Sequence, residues 1–416
     1  MAGALAHLRV LDLSRILAGP SSTQILCDLG AEVIKIEHPE RGDDTRAWGP
    51  PFLSNPAKGG APESAYFLAA NRGKKSVAVD ITSTRGSALV QQLVKQCDIV
   101  VENFKVGGLK KYGLDYESLS AIKPELIYCS ITGFGQTGPY AHRPGYDLMA
   151  QAQGGLMSIT GERDDQPGGG PQKVGVATAD LMTGMYACVS ILAALAHREQ
   201  TGEGQHTDLA LLDSQVAMLA NQGMFYLVSG ESPGRSGNAH ATVVPYGTFP
   251  VADGEIALAI GNDSQFQRFC KVAGLVETGK DDRFLHNRDR VANRDLLLEQ
   301  MGAALVTRTR AEWLIALEEV GVPCGPINSV GEAFSDPQVQ SRGMCWEVDH
   351  PFRSKLQLVA NPIHMSRTPP MPQGPPPLLG QHTAAVLSDL LSLGESEIDE
   401  LVTQKVVFCN AVVVTS

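Results

Sequence analysis

Asp180 stands in "KVGVATADLMTGMYA" (173–187), which runs on into the apolar "CVSILAALAH" (188–197), and it is the only carboxylate in the whole stretch. A lone carboxylate at the head of a greasy segment can do one of two things. It can cap its own helix, where unpaired N–H groups and the helix dipole favour negative charge. It can instead attack an acyl group as a nucleophile, and the small neighbours Ala177, Ala179, Thr183 and Gly184 leave room for a substrate to approach. The same dipole opposes the desolvation that would raise its pKa, so an ionised carboxylate is expected. Spacing alone leaves both readings open.

Other chemistry-bearing patterns are weaker. "GFGQTG" (133–138) matches G-x-G-x-x-G, but Pro139 follows at once where a dinucleotide fold needs a helix to open. No G-x-S-x-G elbow occurs, and no two histidines are spaced i, i+4 for zinc. "PGGGPQ" (167–172) lacks the Lys-Ser/Thr that would make it a phosphate cradle. The eight cysteines are scattered, with no CxxC, which fits reduced thiols in an intracellular compartment. No metal site is expected.

The elements that must hold Asp180 follow from periodicity. Strand-like runs at 8–14, 32–39, 76–82, 98–104 and 125–132 alternate with helical patterns at 19–31 and 85–97, which predicts a parallel sheet covered on both faces. Ligands collect at the carboxyl ends of such strands. Helices are expected over 145–157 and 178–200, then a strand running into a helix over 204–229. Beyond the polar "GESPGRSGNAHA" (230–241), strands at 243–250 and 255–261 and helices at 263–274, 291–306 and 310–320 suggest a smaller α/β domain. Strands at 343–350 and 355–361 lead into a proline-rich arm (367–380) and two last helices, 381–393 and 395–406. The expected organisation is a first part of a large domain (1–225), a small domain (226–335), and a segment (336–416) whose helices return to the large domain. Residues 174–196 could span a bilayer by length, but Asp180 and the absence of an aromatic and basic belt favour a helix buried in a soluble domain. The formal net charge of −11 opposes a general affinity for nucleic acid or anionic lipid. No targeting peptide is visible.

"LDLSRILAGPSSTQILCDLGAEVIKIEHPERGDDTRAW", "NRGKKSVAVD", "VVENFKVGGLKKYGL", "YCSITGFGQTGPYAHRPGYD", "ADLMTG", "TGEGQH", "GVPCGPI" and "PPPLLGQHT" occur in this order over nearly the whole chain. Together they resemble the class III CoA-transferases, the CaiB/BaiF or formyl-CoA transferase family. The resemblance implies a Rossmann-like large domain made from both chain ends, a smaller α/β domain, and two subunits interlocked as a homodimer. It places the nucleophile on Asp180. The implied reaction forms a mixed anhydride and then an aspartyl-CoA thioester, with coenzyme A thioesters as substrates and no permanently bound cofactor. α-Methylacyl-CoA racemases share the family. They carry a histidine base in a "GHD" motif where this chain reads "GYD", with Tyr146 in its place, so transfer is favoured over racemisation.

The resemblance also implies CoA contacts at Leu17, Ala18, His38, Val79, Asp80, Ile81, Thr82, Asn103, Phe104, Lys105, Lys111, Arg143 and Tyr146. Thr82 and His38 replace a lysine and an arginine of the formyl-CoA enzymes, so Arg72, Lys74 or Lys75 are candidates for the nucleotide phosphates. "GRSGNAHATVVPY" (234–246) stands in place of their glycine-only loop and is closer to the succinyl-CoA:glutarate and itaconate branch. A dicarboxylate acceptor needs a cation for its distal end, and Arg15, Arg46 and Arg235 are candidates, with His240 closing the pocket. The cytoplasm or the mitochondrial matrix is the expected location.

Overall fold

A computed structural model describes residues 3–54 and 61–410. The described residues divide into two compact units: one holds those within 3–156, 174–227 and 338–410, the other 157–173 and 228–337. Residues 157–173 therefore group with the second unit, whereas the sequence reading kept them within 1–225.

The first unit is built on a seven-stranded sheet. Its strands are β1 (Arg9–Asp12), β2 (Glu32–Glu37), β3 (Lys75–Val79), β4 (Ile99–Glu102), β5 (Ile127–Thr132), β6 (His206–Ala210) and β7 (Val407–Phe408). The spatial order is β7-β3-β2-β1-β4-β5-β6. All neighbours pair in parallel except β7, which runs antiparallel to β3. Progression reverses between β1 and β4, so the loops after these two strands open a crevice at the switch point.

Alternating side chains feed two cores. Leu11, Ile34, Ile36, Val77, Val79 and Val100 face helices over 84–95, 383–391 and 395–403. Val10, Val33, Ile99, Val101, Ile127, Cys129 and Ile131 face α1 (Ala18–Asp28) and α3 (Thr178–Thr201). A shorter helix, α2 (Asp147–Gln153), precedes α3. Ala179, Thr183, Gly184, Ala187, Cys188, Ile191, Ala194 and Leu195 form the buried stripe of α3 at helical spacing. Gly184 permits the close crossing with α1, because an added Cβ would come within 2.7 Å of the Ala18 carbonyl oxygen. By length and composition α3 could cross a membrane. In the fold its stripe packs on the sheet and α1, while Leu181, Met185, Tyr186, Val189 and Leu192 remain exposed.

The second unit has a three-stranded antiparallel sheet, Tyr246–Val251, Gly254–Ala259 and Cys324–Pro326. Phe249, Ile256, Leu258, Phe266, Phe269, Leu297 and Trp313 form its core.

Candidate active site

α3 links β5 to β6, which are parallel, so it runs back antiparallel to the sheet and its N-terminus lies at the carboxyl edge of the strands. Asp180 is in its first turn. The helix is nevertheless capped by another residue. Asp147, in the "GYD" motif at the start of α2, accepts from the Ala179 N–H through Oδ1 at 2.9 Å and more loosely from the Asp180 N–H at 3.4 Å. Its second oxygen accepts from Gln151 Nε2 at 2.7 Å, and Gln151 Oε1 accepts from the Val174 N–H at 2.9 Å.

Among the described residues no hydrogen bond or ion pair reaches the Asp180 carboxylate. Its pKa is raised to about 7, chiefly by burial and secondly by the like charge of Asp147. This corrects the expectation that the helix dipole would keep Asp180 at an ordinary carboxylate value. Asp147 already occupies the N-terminal field, so desolvation wins. The outcome is a carboxylate ionised in part at neutral pH, more basic than usual and held by no counter-ion. The raised basicity and the lack of a counter-ion among the described residues favour nucleophilic attack by the ionised fraction. The Tyr66 phenol belongs to the same neighbourhood: its pKa is raised by burial first, then by Asp180 and Asp147. Trp48 packs edge-on to Tyr66 at 5.2 Å between ring centroids. Neither Tyr66 nor the capping role of Asp147 was legible in the sequence, where "GYD" was read only for its tyrosine.

At the switch point lies a cleft of ≈ 400 Å³. His38, Val79, Asp80, Ile81, Thr82, Phe104, Lys105 and Lys111 all line it, as does Arg15. These residues come from the ends of β1, β2, β3 and β4 and the loops that follow them. Arg41, which the sequence reading passed over, joins Lys105 and Lys111 as a basic lining residue. Leu17 and Ala18, at the start of α1, and Asn103, which grips the backbone of Arg15, do not line the cleft. Arg143 stacks on exposed Tyr140 at 3.9 Å, and Tyr146 is 61% exposed; neither lines the cleft.

Several cations expected at ligands are engaged elsewhere. Arg72 binds Asp28 at 2.8 Å, Lys74 meets Asp12 at 3.0 Å, and Lys75 meets Glu32 at 2.6 Å, so all three hold carboxylates of the fold rather than the cleft. Arg46 is buried between Glu37 and Glu63, donates also to the Pro377 carbonyl, and lies over the Phe67 ring at 3.6 Å. That commitment removes it as a grip for a substrate carboxylate. Arg235 belongs to the second unit, where it pairs with Asp164 and donates to the carbonyls of Ser158 and Glu162. His240 packs against Tyr246 in that unit, and its Nδ1 accepts from the Thr242 N–H.

Residues 5–383 match the family described as CoA-transferase family III. The chain belongs to this family. A succinate–glutarate CoA-transferase of Agrobacterium fabrum is 50% identical over 386 residues, 93% of this chain and 95% of that protein. A succinyl-CoA:glutarate CoA-transferase of Mus musculus is 44% identical over 97% of this chain and 90% of its own length. The crystal structure of a CaiB/BaiF family protein from Brucella suis, 49% identical, superposes with a TM-score of 0.84 over 94% of this chain and all of that one. The protein is thus an enzyme of the CoA-transferase type, and both Asp180 and the cleft lie in the unit that carries the parallel sheet. As a family III CoA-transferase it has no histidine at the "GYD" position, where Tyr146 faces solvent.

Proposed function

We propose that this family III CoA-transferase moves CoA from succinyl-CoA to a five-carbon dicarboxylate, glutarate or a close analogue such as itaconate, with Asp180 as the nucleophile. Similarity to enzymes named for succinyl-CoA and glutarate supports the substrates. The observation that carries the mechanism is the Asp180 carboxylate, raised to about 7 and free of a neutralising partner among the described residues.

In the first half-reaction an Asp180 oxygen attacks the thioester carbonyl, forming a mixed anhydride and releasing CoA thiolate. The thiolate attacks the aspartyl carbonyl, which gives an Asp180–CoA thioester and succinate. The acceptor carboxylate then attacks that thioester, forming a second mixed anhydride and CoA thiolate again. Thiolate attack on the acceptor carbonyl completes the exchange and restores Asp180. Thioester and anhydride are both energy-rich, so little acyl potential is lost, and no proton need be moved in the net reaction. CoA lies in the cleft of His38, Val79–Thr82 and Phe104–Lys105, with Lys111 and Arg41 toward the phosphates. Arg15, the only one of the three candidate arginines that lines this cleft, is our candidate for the acceptor's distal carboxylate: its present partner Asp44, at 2.7 Å, forms a part-exposed ion pair that a substrate carboxylate can displace, unlike the buried pairs of Arg46.

The exposed apolar residues Leu181, Met185, Val189 and Leu192 on α3, with Met224, Tyr226 and Leu227 of the helix at 220–229, support a homodimer in which a second copy covers them. Sedimentation at twice the chain mass is expected; a monomer at micromolar concentration would contradict this. A panel of acids assayed with succinyl-CoA tests the substrates. C5 dicarboxylates should exceed monocarboxylates of equal length by at least about tenfold in kcat/KM, the scale of one well-placed charge-assisted hydrogen bond. Equal rates would refute the dicarboxylate assignment.

A further inference from the structure

The segment 14–18, between β1 and α1, is held in a conformation that its own residues disfavour. Ile16 has φ +71°, in the left-handed region where a β-branched side chain is a genuine outlier. Such a conformation persists only where the surroundings over-determine it, and here they do. The Asn103 side chain grips both sides of Arg15, accepting from its N–H at 2.8 Å and donating to its carbonyl at 2.6 Å. Asp43 Oδ1 accepts from the Ile16 N–H at 3.2 Å, while Oδ2 pairs with Lys35 Nζ at 2.9 Å. Lys35 in turn donates to the Ser14 carbonyl at 2.8 Å, and both members of this ion pair are fully buried. On the other side, Asp12 accepts from the Ser14 N–H at 2.9 Å and is paired with buried Lys74.

Two buried ion pairs around five residues are a poor route to stability, because desolvation offsets most of the attraction. They are a good route to fixed geometry. The segment they fix stands between the two halves of the site. Arg15 lines the CoA cleft, and three residues on, the carbonyl of Ala18 lies beneath Gly184, one helical turn beyond Asp180. We propose that Asp43 and Lys35 act as positioning residues for catalysis: they lock Ile16 in its left-handed conformation and so fix the register between a thioester in the CoA cleft and the Asp180 carboxylate. Neither need touch the reacting atoms.

The test is the double variant Lys35→Met/Asp43→Ala, which removes both charges together and leaves no buried ion unpaired. Misplacement by about 1 Å can cost on the order of a hundredfold in rate. Both residues also line the cleft, so KM for acyl-CoA can rise, but kcat should fall at least about tenfold and by a larger factor than KM rises. Adding Ile16→Gly, which takes positive φ without strain, should restore at least about a third of the lost kcat. A lowered melting temperature with unchanged kcat would overturn the proposal, as would a loss in kcat that glycine does not relieve, or a rise in KM alone. Hydrogen exchange in the unmutated enzyme gives a reading that does not depend on the variants folding. The Arg15 and Ile16 amides should be strongly protected with and without CoA, and exchange at the rate of an open loop would sink the idea.

Discussion

The proposed chemistry rests on a competition at one carboxyl group. Burial and the neighbouring charge of Asp147 raise the Asp180 pKa to about 7, and the helix N-terminus cannot oppose them because Asp147 already binds its N–H groups. Attack requires the ionised form, so transfer should decline as pH falls through about 7. In Asp147→Asn the side-chain oxygen can still accept from the Ala179 N–H, but the like charge is gone. The acid limb of kcat/KM should move to lower pH in that variant, and a limb that stays in place would show that burial acts alone. The residue type and its position were legible in the sequence because a carboxylate at the head of an apolar stretch has few roles. Its protonation was not, since the cap comes from 33 residues earlier, across a fold contact. The same limit applied to Arg46, whose place between Glu37 and Glu63 depends on strand pairing that the sequence does not state.

At the scale of elements, the crossing of α1 over α3 joins the proposed CoA cleft to Asp180. Gly184 allows that crossing, and Ser21 and the Ala18 carbonyl would meet any Cβ placed there. Gly184→Ala should destabilise the protein by roughly 1–3 kcal/mol through overpacking, read as a lower urea midpoint at unchanged slope; an unaltered midpoint would contradict so close a contact. The parallel strands were readable as short continuous apolar runs, and α3 as a helical run from 178. Short elements were missed, among them the antiparallel edge strand Val407–Phe408 and the third strand of the small sheet, Cys324–Pro326. Two or three residues carry no periodicity, and only a partner strand defines them. The loop after β2 suggests only His38, while Arg41, three residues on, also lines the cleft, in a turn closed by the Gly42 N–H donating to the His38 carbonyl at 2.9 Å.

For the whole molecule, the sheet order brings together loops that are far apart in sequence, and together they line the cleft proposed for CoA. The chain-wide motif set disclosed the family, and the matches over 93–97% of the chain agree with it. The grouping of 157–173 with the second unit escaped the sequence, because a segment's contacts and not its composition decide its unit. What remains is whether acyl transfer passes through Asp180. The direct measurement is mass analysis of the enzyme after succinyl-CoA and hydroxylamine, applied together in the absence of acceptor. A hydroxamate on the peptide that carries Asp180, absent in Asp180→Ala, is the predicted result. Unmodified Asp180 in an enzyme that still exchanges CoA, or full turnover by Asp180→Ala, would contradict the account.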